Sequence, residues 1–261
     1  MIRAKKSLGQ NFLIDKNIID QIINTVPITG NEILEVGPGT GNLTKEILKK
    51  NPSKIYLVEK DTFLVKNLEE IIDERVKIFN EDILKFDEYS LSNSKIIVFG
   101  NLPYNISTEI LSTWITNLKN NYWFSDLILM FQKEVADRII AKFNTSTYGR
   151  LSILANWRLN INKICDISPE SFSPKPKIQS TLIHFTPKNK FIEIKDPINL
   201  EKITRIFFSH RRKMLKKPFN QIFNGNLDLI KKFNLDLNLR PQNIDFDTYY
   251  KLTIEYEKLR G

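Results

Sequence analysis

The sequence predicts a doubly wound α/β domain followed by a smaller helical one. Short apolar strand-like runs alternate with amphipathic helical stretches as far as residue 186. A glycine-rich turn joins the first of those strands to a helix, as nucleotide-binding α/β sheets require. Beyond Pro187 the strand signals stop and short helical runs separated by turn residues take over. The domains expected are therefore 1–186 and 187–261.

The elements follow in order. A helix is expected over 16–26, where Ile18, Ile19, Ile22, Ile23 and Val26 share one face. Strand 32–36 runs into the glycine turn, and helix 43–51 follows. Strand 54–59, helix 63–72, strand 76–80, a polar stretch and strand 95–100 complete a first half. These strands are short and largely apolar, the pattern of parallel strands buried on both faces. Helix 109–117, strand 126–132, helix 134–141 and a strand pair at 161–168 and 180–185 close the domain. Pro169, Pro174 and Pro176 interrupt that last pair, so a stiff, exposed loop is expected between its strands. In the tail, helices are expected over 200–217 and 227–233.

Composition narrows the class. With 41% hydrophobic and 26% charged residues the chain is globular, and a chain of 261 residues should bury roughly three quarters of its extended surface on folding. The apolar run from Leu127 to Phe131 stops at five residues, against the ~20 needed to span a bilayer, so an integral membrane protein is excluded. The charged start has no sustained apolar stretch after it, so a signal peptide is not expected either. One cysteine, Cys165, allows no internal disulfide; with only two histidines there is no zinc-cage pattern, and a reducing, cytoplasmic setting fits. The charge is uneven. Residues 187–261 hold 16 basic and 9 acidic residues, a net +7, against +2 for 1–186. A polyanionic partner is implied for the tail, either nucleic acid or an anionic membrane.

Strand 32–36 leads into Gly37-Pro38-Gly39-Thr40-Gly41. Glycines let the chain turn tightly and let a ligand approach the backbone. In the dinucleotide fingerprint a third glycine stands three residues after the second; here that position is Asn42, and the third glycine comes one residue early. The spacing departs from a nicotinamide site and resembles the Glu-x-Gly-x-Gly-x-Gly turn of S-adenosylmethionine-dependent methyltransferases. Glu59, closing the next strand, is placed to accept both ribose hydroxyl protons. Asp82, after the following strand, is placed to accept from an adenine amine. The glycine turn and these two carboxylates stand at three successive strand ends, which marks a ligand edge rather than two unrelated surface acids.

Asn101-Leu102-Pro103-Tyr104 follows strand 95–100 at the same edge. An aromatic amine is a poor nucleophile because its lone pair is delocalised into the ring. The Asn101 side-chain oxygen and the Leu102 carbonyl can accept its two protons and aim the lone pair at a methyl group. Pro103 stiffens the turn, and the Tyr104 ring offers a stacking face worth ~1 to 3 kcal/mol per base. A neutral Asn accepts without removing the proton, so no dedicated base is needed.

Five separated motifs now resemble one family in the right order along nearly the whole chain. They are Lys6-Ser7-Leu8-Gly9-Gln10-Asn11-Phe12-Leu13, the turn from Glu35 to Gly41, Asn101 to Tyr104, Tyr148-Gly149-Arg150-Leu151-Ser152, and Phe172-Ser173-Pro174-Lys175-Pro176-Lys177. Together they resemble the KsgA-like small-subunit ribosomal RNA adenine dimethyltransferases. The resemblance implies a Rossmann-like methyltransferase domain with a small helical carboxy-terminal domain. It implies transfer of methyl groups from S-adenosylmethionine to N6 of two adjacent adenines in the 3′-terminal hairpin of small-subunit rRNA, within the assembling small ribosomal subunit. It assigns Asn11 and Leu13 to the cofactor pocket beside Gly37, Gly39, Gly41, Glu59, Asp82 and Asn101. Phe172 is implied as a second aromatic wall for a flipped base; read by itself, Phe172 is a core residue. In the basic stretch 205–217, matched to a basic helix of the family, Phe207, Phe208, Met214 and Leu215 are expected to pack. Arg211, Arg212, Lys213, Lys216 and Lys217 are expected to face phosphate. The motifs favour RNA and no membrane as the partner of the basic tail, and a monomer is the default expectation.

The alternative within enzymes is the related large-subunit rRNA adenine dimethyltransferase, which shares the glycine turn and the Asn-x-Pro-aromatic motif. Tyr148 to Ser152 and the long basic tail favour the small-subunit type. A non-catalytic assembly or transcription factor on the same scaffold would not need the motif residues, which are intact here.

Overall fold

The computed structural model describes residue 5, residues 9–118 and residues 121–260. Lys6, Ser7 and Leu8 of the amino-terminal motif lie outside the described residues. The chain divides into two compact units. The first is Met1–Thr113, Leu118–Ala136 and Asn160–Pro187; the second is Trp114–Asn117, Asp137–Leu159 and Lys188–Gly261. One crossing thus falls at Pro187, while 114–117 and 137–159, placed in the first domain by the sequence reading, fall in the second unit.

The first unit is built on a seven-stranded sheet. In chain order its strands are β2 (Glu32–Val36), β3 (Lys54–Val58), β4 (Val76–Phe79), β5 (Ile96–Gly100), β6 (Phe124–Gln132), β7 (Leu159–Ile167) and β9 (Ser180–Pro187). Their spatial order is β4-β3-β2-β5-β6-β9-β7. The pairs β4/β3, β3/β2, β2/β5 and β5/β6 are parallel, and β9 runs antiparallel to β6. Ile33, Leu34, Ile55, Leu57, Val98 and Phe99 are fully buried, as strands covered on both faces demand. The helices α1 (Lys16–Ile23), α2 (Asn42–Lys49), α3 (Thr62–Leu68), α4 (Ser107–Thr116) and α5 (Lys133–Ile139) punctuate the strands. From β2 the chain winds outward through β3 and β4, then returns to β5 on the other side of β2. The crevice at the carboxyl ends of β2 and β5 is therefore the topological switch point, where open α/β sheets bind ligands.

Local chemistry sets several boundaries. Asp15 caps α1 by accepting from the Asn17 and Ile18 N–H groups, and Ile19, Ile22 and Ile23 bury its apolar face. The helix stops at Ile23 rather than at Val26, because Val26 precedes Pro27 and is pushed out of the helical region. The connection at 169–179 is more ordered than the loop expected. A 3-10 turn (Pro169–Ser171) leads into β8 (Phe172–Ser173), which pairs antiparallel with β1 (Phe12–Leu13) in the register Leu13↔Phe172. That pairing joins segments about 160 residues apart, so no local pattern announces it.

The second unit contains α6 (Arg150–Arg158), α7 (Pro197–Phe208), α8 (Lys216–Phe223), α9 (Leu227–Lys232) and α10 (Phe246–Lys258). No helix was expected at α6. Ser152, Ile153, Leu154, Ala155 and Trp157 are all buried, so the segment lacks the one-sided periodicity that marks a surface helix. The Ser152 hydroxyl accepts from the Gly149 N–H at 2.9 Å and donates to the Gly149 carbonyl at 2.8 Å, closing its first turn. The helix expected over 200–217 is two helices. Pro218 lacks an N–H and is tolerated only in a first turn, so α8 begins afresh at Lys216. Tyr249, Tyr250 and Leu252 anchor α10, whose Tyr250 hydroxyl donates to the Ile153 carbonyl at 2.9 Å and whose Tyr249 hydroxyl donates to the Pro241 carbonyl at 2.7 Å.

Candidate active site

Strand register builds the site. Val36 lies opposite Val58 on one side and Gly100 on the other, and Val58 lies opposite Phe79. The residues that follow these four strand ends, Gly37, Glu59, Asn80 and Asn101, therefore form one row along the carboxyl edge of the sheet. The backbone joins them: the Gly37 N–H donates to the Val58 carbonyl at 3.0 Å, and the Asn80 side-chain amide donates to the Glu59 carbonyl at 2.9 Å. A cavity of about 220 Å³ opens at this row.

The glycine turn is fitted closely. Gly37 and Gly39 have φ of +67° and +59°, a region L side chains rarely adopt. A Cβ on Gly39 would stand 2.8 Å from the ring of Phe12, so the turn holds β1 against it. Gly37, Gly39, Asn11, Leu13, Glu59, Asp82 and Asn101 all line the cavity. Gly41 does not. It caps α2 in the left-handed region with Leu68 and Ile71 as its neighbours, so its part is to close the turn rather than to face a ligand.

Two carboxylates are sunk into this edge. Glu59, 8% exposed, accepts from the Gly39 N–H at 3.3 Å and from the Asp61 N–H at 2.8 Å. Burial holds its pKa above the usual carboxylate range. Glu35, 2% exposed, accepts from the Thr44 hydroxyl at 2.6 Å, and desolvation pushes its pKa up to about 7. The spacing of the glycine turn singled out Glu35 as a motif member but gave no sign that it would be sealed from water. Asp82 is different. Its carboxylate pairs with Lys60 at 2.7 Å, which holds its pKa low, and its other oxygen accepts from the Leu84 N–H at 3.2 Å.

Asn101 to Tyr104 form the opposite wall. The Asn101 side-chain amide donates to the Asn11 carbonyl at 2.8 Å, and among the described residues its oxygen accepts no hydrogen bond. Leu102 is 1% exposed, while Pro103 and Tyr104 are half-buried; all three line the cavity. The Tyr104 hydroxyl meets the Ser180 hydroxyl at 2.5 Å, and burial raises its pKa. Phe172 does not line this cavity; the residue is 3% exposed and packs in the hydrophobic core with Leu13, Ile167 and Leu182. The sequence reading did not select Gln10, Phe12, Lys60 or Met130, which also line the cavity. Lys60 directly follows Glu59 at the strand end, and that position was its signal.

The amino-terminal segment is tied down beside the site. Asp61 accepts from the Lys5 ammonium at 2.7 Å and from the Gln10 side-chain amide at 2.9 Å, and Asn42 donates to the Leu13 carbonyl at 2.8 Å. In the second unit, Arg212, Lys213, Lys216 and Lys217 are exposed. Arg211 is not free: its guanidinium donates to the Gln242 side chain at 3.2 Å and to the Ser146 carbonyl. Arg211, Arg212 and Lys213 lie in the turn between α7 and α8 rather than on a basic helix. Phe207 and Leu215 pack at 1% exposure, Phe208 is half-buried, and Met214 is 57% exposed instead of packing.

Comparison with known proteins agrees with this arrangement. The family model for ribosomal RNA adenine dimethylase matches residues 1–258. The chain is 62% identical over 260 residues to ribosomal RNA small subunit methyltransferase A of Pelagibacter ubique (strain HTCC1062), covering 100% of this chain and 99% of that protein. It is 39% identical over 267 residues to the protein of the same name from a Wolbachia strain of Drosophila simulans, covering 99% and 96%. Among solved structures, a dimethyladenosine transferase from Plasmodium falciparum superposes with a TM-score of 0.80 at 25% identity, covering 95% of this chain and 98% of that one. The 23S rRNA methyltransferase ErmE shares the fold, with a TM-score of 0.68 at 19% identity over 96% of this chain and 100% of that one. A full-length family match and relatives at this identity leave one assignment: the chain belongs to the ribosomal RNA adenine dimethylase family.

Proposed function

We propose that this protein transfers methyl groups from S-adenosylmethionine to N6 of two adjacent adenines in the 3′-terminal hairpin of small-subunit rRNA. The product is N6,N6-dimethyladenosine, made while the subunit assembles. The observation that carries the reading is the juxtaposition of Gly37, Glu59 and Asn101 along one sheet edge, with the Asn101 oxygen accepting no hydrogen bond among the described residues. The protein acts as a cytoplasmic monomer.

The residues present fit the cofactor. Gly37 and Gly39 line the cavity with bare backbone, and Glu59 and Asp82 offer carboxylate oxygens for ribose hydroxyls and an adenine amine. When bound, S-adenosylmethionine supplies an electrophilic methyl group on a sulfonium. The protein's own groups do the rest. Asn101 Oδ1 and the Leu102 carbonyl accept the two N6 protons of the target adenine and turn its lone pair out of conjugation. Tyr104 offers its ring to the flipped base, which offsets the stacking lost on leaving its neighbours. Because Asn101 is neutral, the proton is lost to solvent only after transfer has made the nitrogen cationic. The exposed cations Arg212, Lys213, Lys216 and Lys217 bind phosphate.

The test uses purified protein, radiolabelled S-adenosylmethionine and small and large ribosomal subunits from cells lacking this modification. Label should enter the small subunit alone, at two adjacent adenines identified by mass spectrometry of the 3′ fragment. Label in the large subunit, or at another base, overturns the reading.

A further inference from the structure

We propose that Ser180 is a positioning residue for methyl transfer, holding the Tyr104 ring at the angle needed to receive the target base. This rests on the role given to Tyr104 above.

Tyr104 sits in the turn between β5 and α4, where the Ser107 hydroxyl reaches its carbonyl only at 3.3 Å. Backbone contacts of that kind place the Cα but leave χ1 and χ2 of the side chain to its surroundings. The Tyr104 hydroxyl meets Ser180 Oγ at 2.5 Å. Ser180 is fully buried and is the first residue of β9, registered opposite Gln132 of the long strand β6. The Gln179 carbonyl beside it accepts from the Lys133 N–H at 2.9 Å, so the backbone on both sides of Ser180 is fixed to β6 or to the start of α5. The tether therefore runs from the far end of the Tyr104 side chain to a buried strand residue whose neighbours are hydrogen-bonded to β6 and to the start of α5. Tyr104 is a half-buried cavity-lining ring, and fixing its far end fixes the plane of the face it presents. A preset plane spares the ordering cost when the base arrives and keeps N6 in line with the methyl donor, so its effect falls on the chemical step.

The experiment is a double-mutant cycle of S180A and Y104F in the full chain, read as single-turnover methyl transfer with saturating small subunit and as S-adenosylmethionine affinity. Each single variant should slow transfer about three- to tenfold with cofactor affinity unchanged, and the double variant should be no slower than either single one, since both delete the same bond. Independent, multiplicative losses would overturn the proposal, as would parent rates in both singles. If S180A does not fold, S180C replaces it in the cycle: its thiol leaves no void and bonds only weakly. Y104A separates the two readings. Parent turnover in Y104A removes the stacking role itself; slow Y104A beside a parent-like Y104F removes only the tether.

Discussion

The side-chain amide of Asn101 donates to the backbone carbonyl of Asn11, 90 residues away in the chain, at 2.8 Å. A carbonyl can only accept, so the nitrogen of the amide must face Asn11 and the oxygen is left for another donor. One bond thus anchors the amino-terminal segment at the cavity and sets the polarity of the residue proposed to grip the target amine.

Replacing Asn101 by Ala should therefore reduce methyl transfer by about a hundredfold at saturating substrate, the scale of a lost positioning contact. Cofactor affinity should stay within an order of magnitude, because Gly37, Gly39 and Glu59 are untouched. Single-turnover rates and a cofactor titration check it; unchanged transfer would remove Asn101 from the site.

For Glu59→Ala the defect should shift to the cofactor. The variant deletes two acceptors for ribose hydroxyls and also frees the Gly39 and Asp61 N–H groups that the carboxylate holds. A loss of about 1 to 3 kcal/mol, or roughly ten- to a hundredfold in Kd, is expected by calorimetry. Equal affinity in the variant refutes the role.

Glu35 gives the fold a pH dependence. Its pKa rises from 4.5 to about 7 on folding because burial disfavours the charge. The folded state then binds the proton more tightly than the unfolded one, so this group's contribution to stability is whole below about pH 4.5 and is lost as pH rises toward 7. The loss is on the order of 3 kcal/mol. Urea unfolding between pH 5 and 8 should show stability falling in the parent and a flatter profile in Glu35→Gln, which keeps an acceptor for Thr44. Parallel profiles would place the titration elsewhere.

The cations of the second unit should separate into two kinds. Replacing Arg212, Lys213 and Lys216 by Gln should flatten the plot of log affinity for the small subunit against log salt by about two units, at 0.7 to 0.9 per phosphate contact. Transfer at saturating subunit should persist. Arg211→Gln should instead lower the melting temperature, since Arg211 bonds Gln242 and Ser146. A triple variant with the parent salt slope would mark those side chains as merely solvated.

The alternation of short apolar strands with helices, the glycine spacing and the residue types at the strand ends were all legible in the sequence, because periodicity and turn chemistry are local. They suffice to put Gly37, Glu59, Asp82 and Asn101 at a common edge. The break between Phe208 and Lys216 carries no such local mark within it, because the basic residues 211–213 that fill it suit a helix as well as a turn. What tertiary structure alone decided lies in contacts between distant segments. The pairing of Leu13 with Phe172 took that ring into the core instead of the cavity, and the burial of α6 on all sides erased its helical period. Parallel register set Asn101 beside Gly37, and packing sealed Glu35 from water and brought the Tyr104 and Ser180 hydroxyls together. A local pattern tells which face of an element is apolar, but not which remote segment will cover it, and here that covering decided which side chains reach the site.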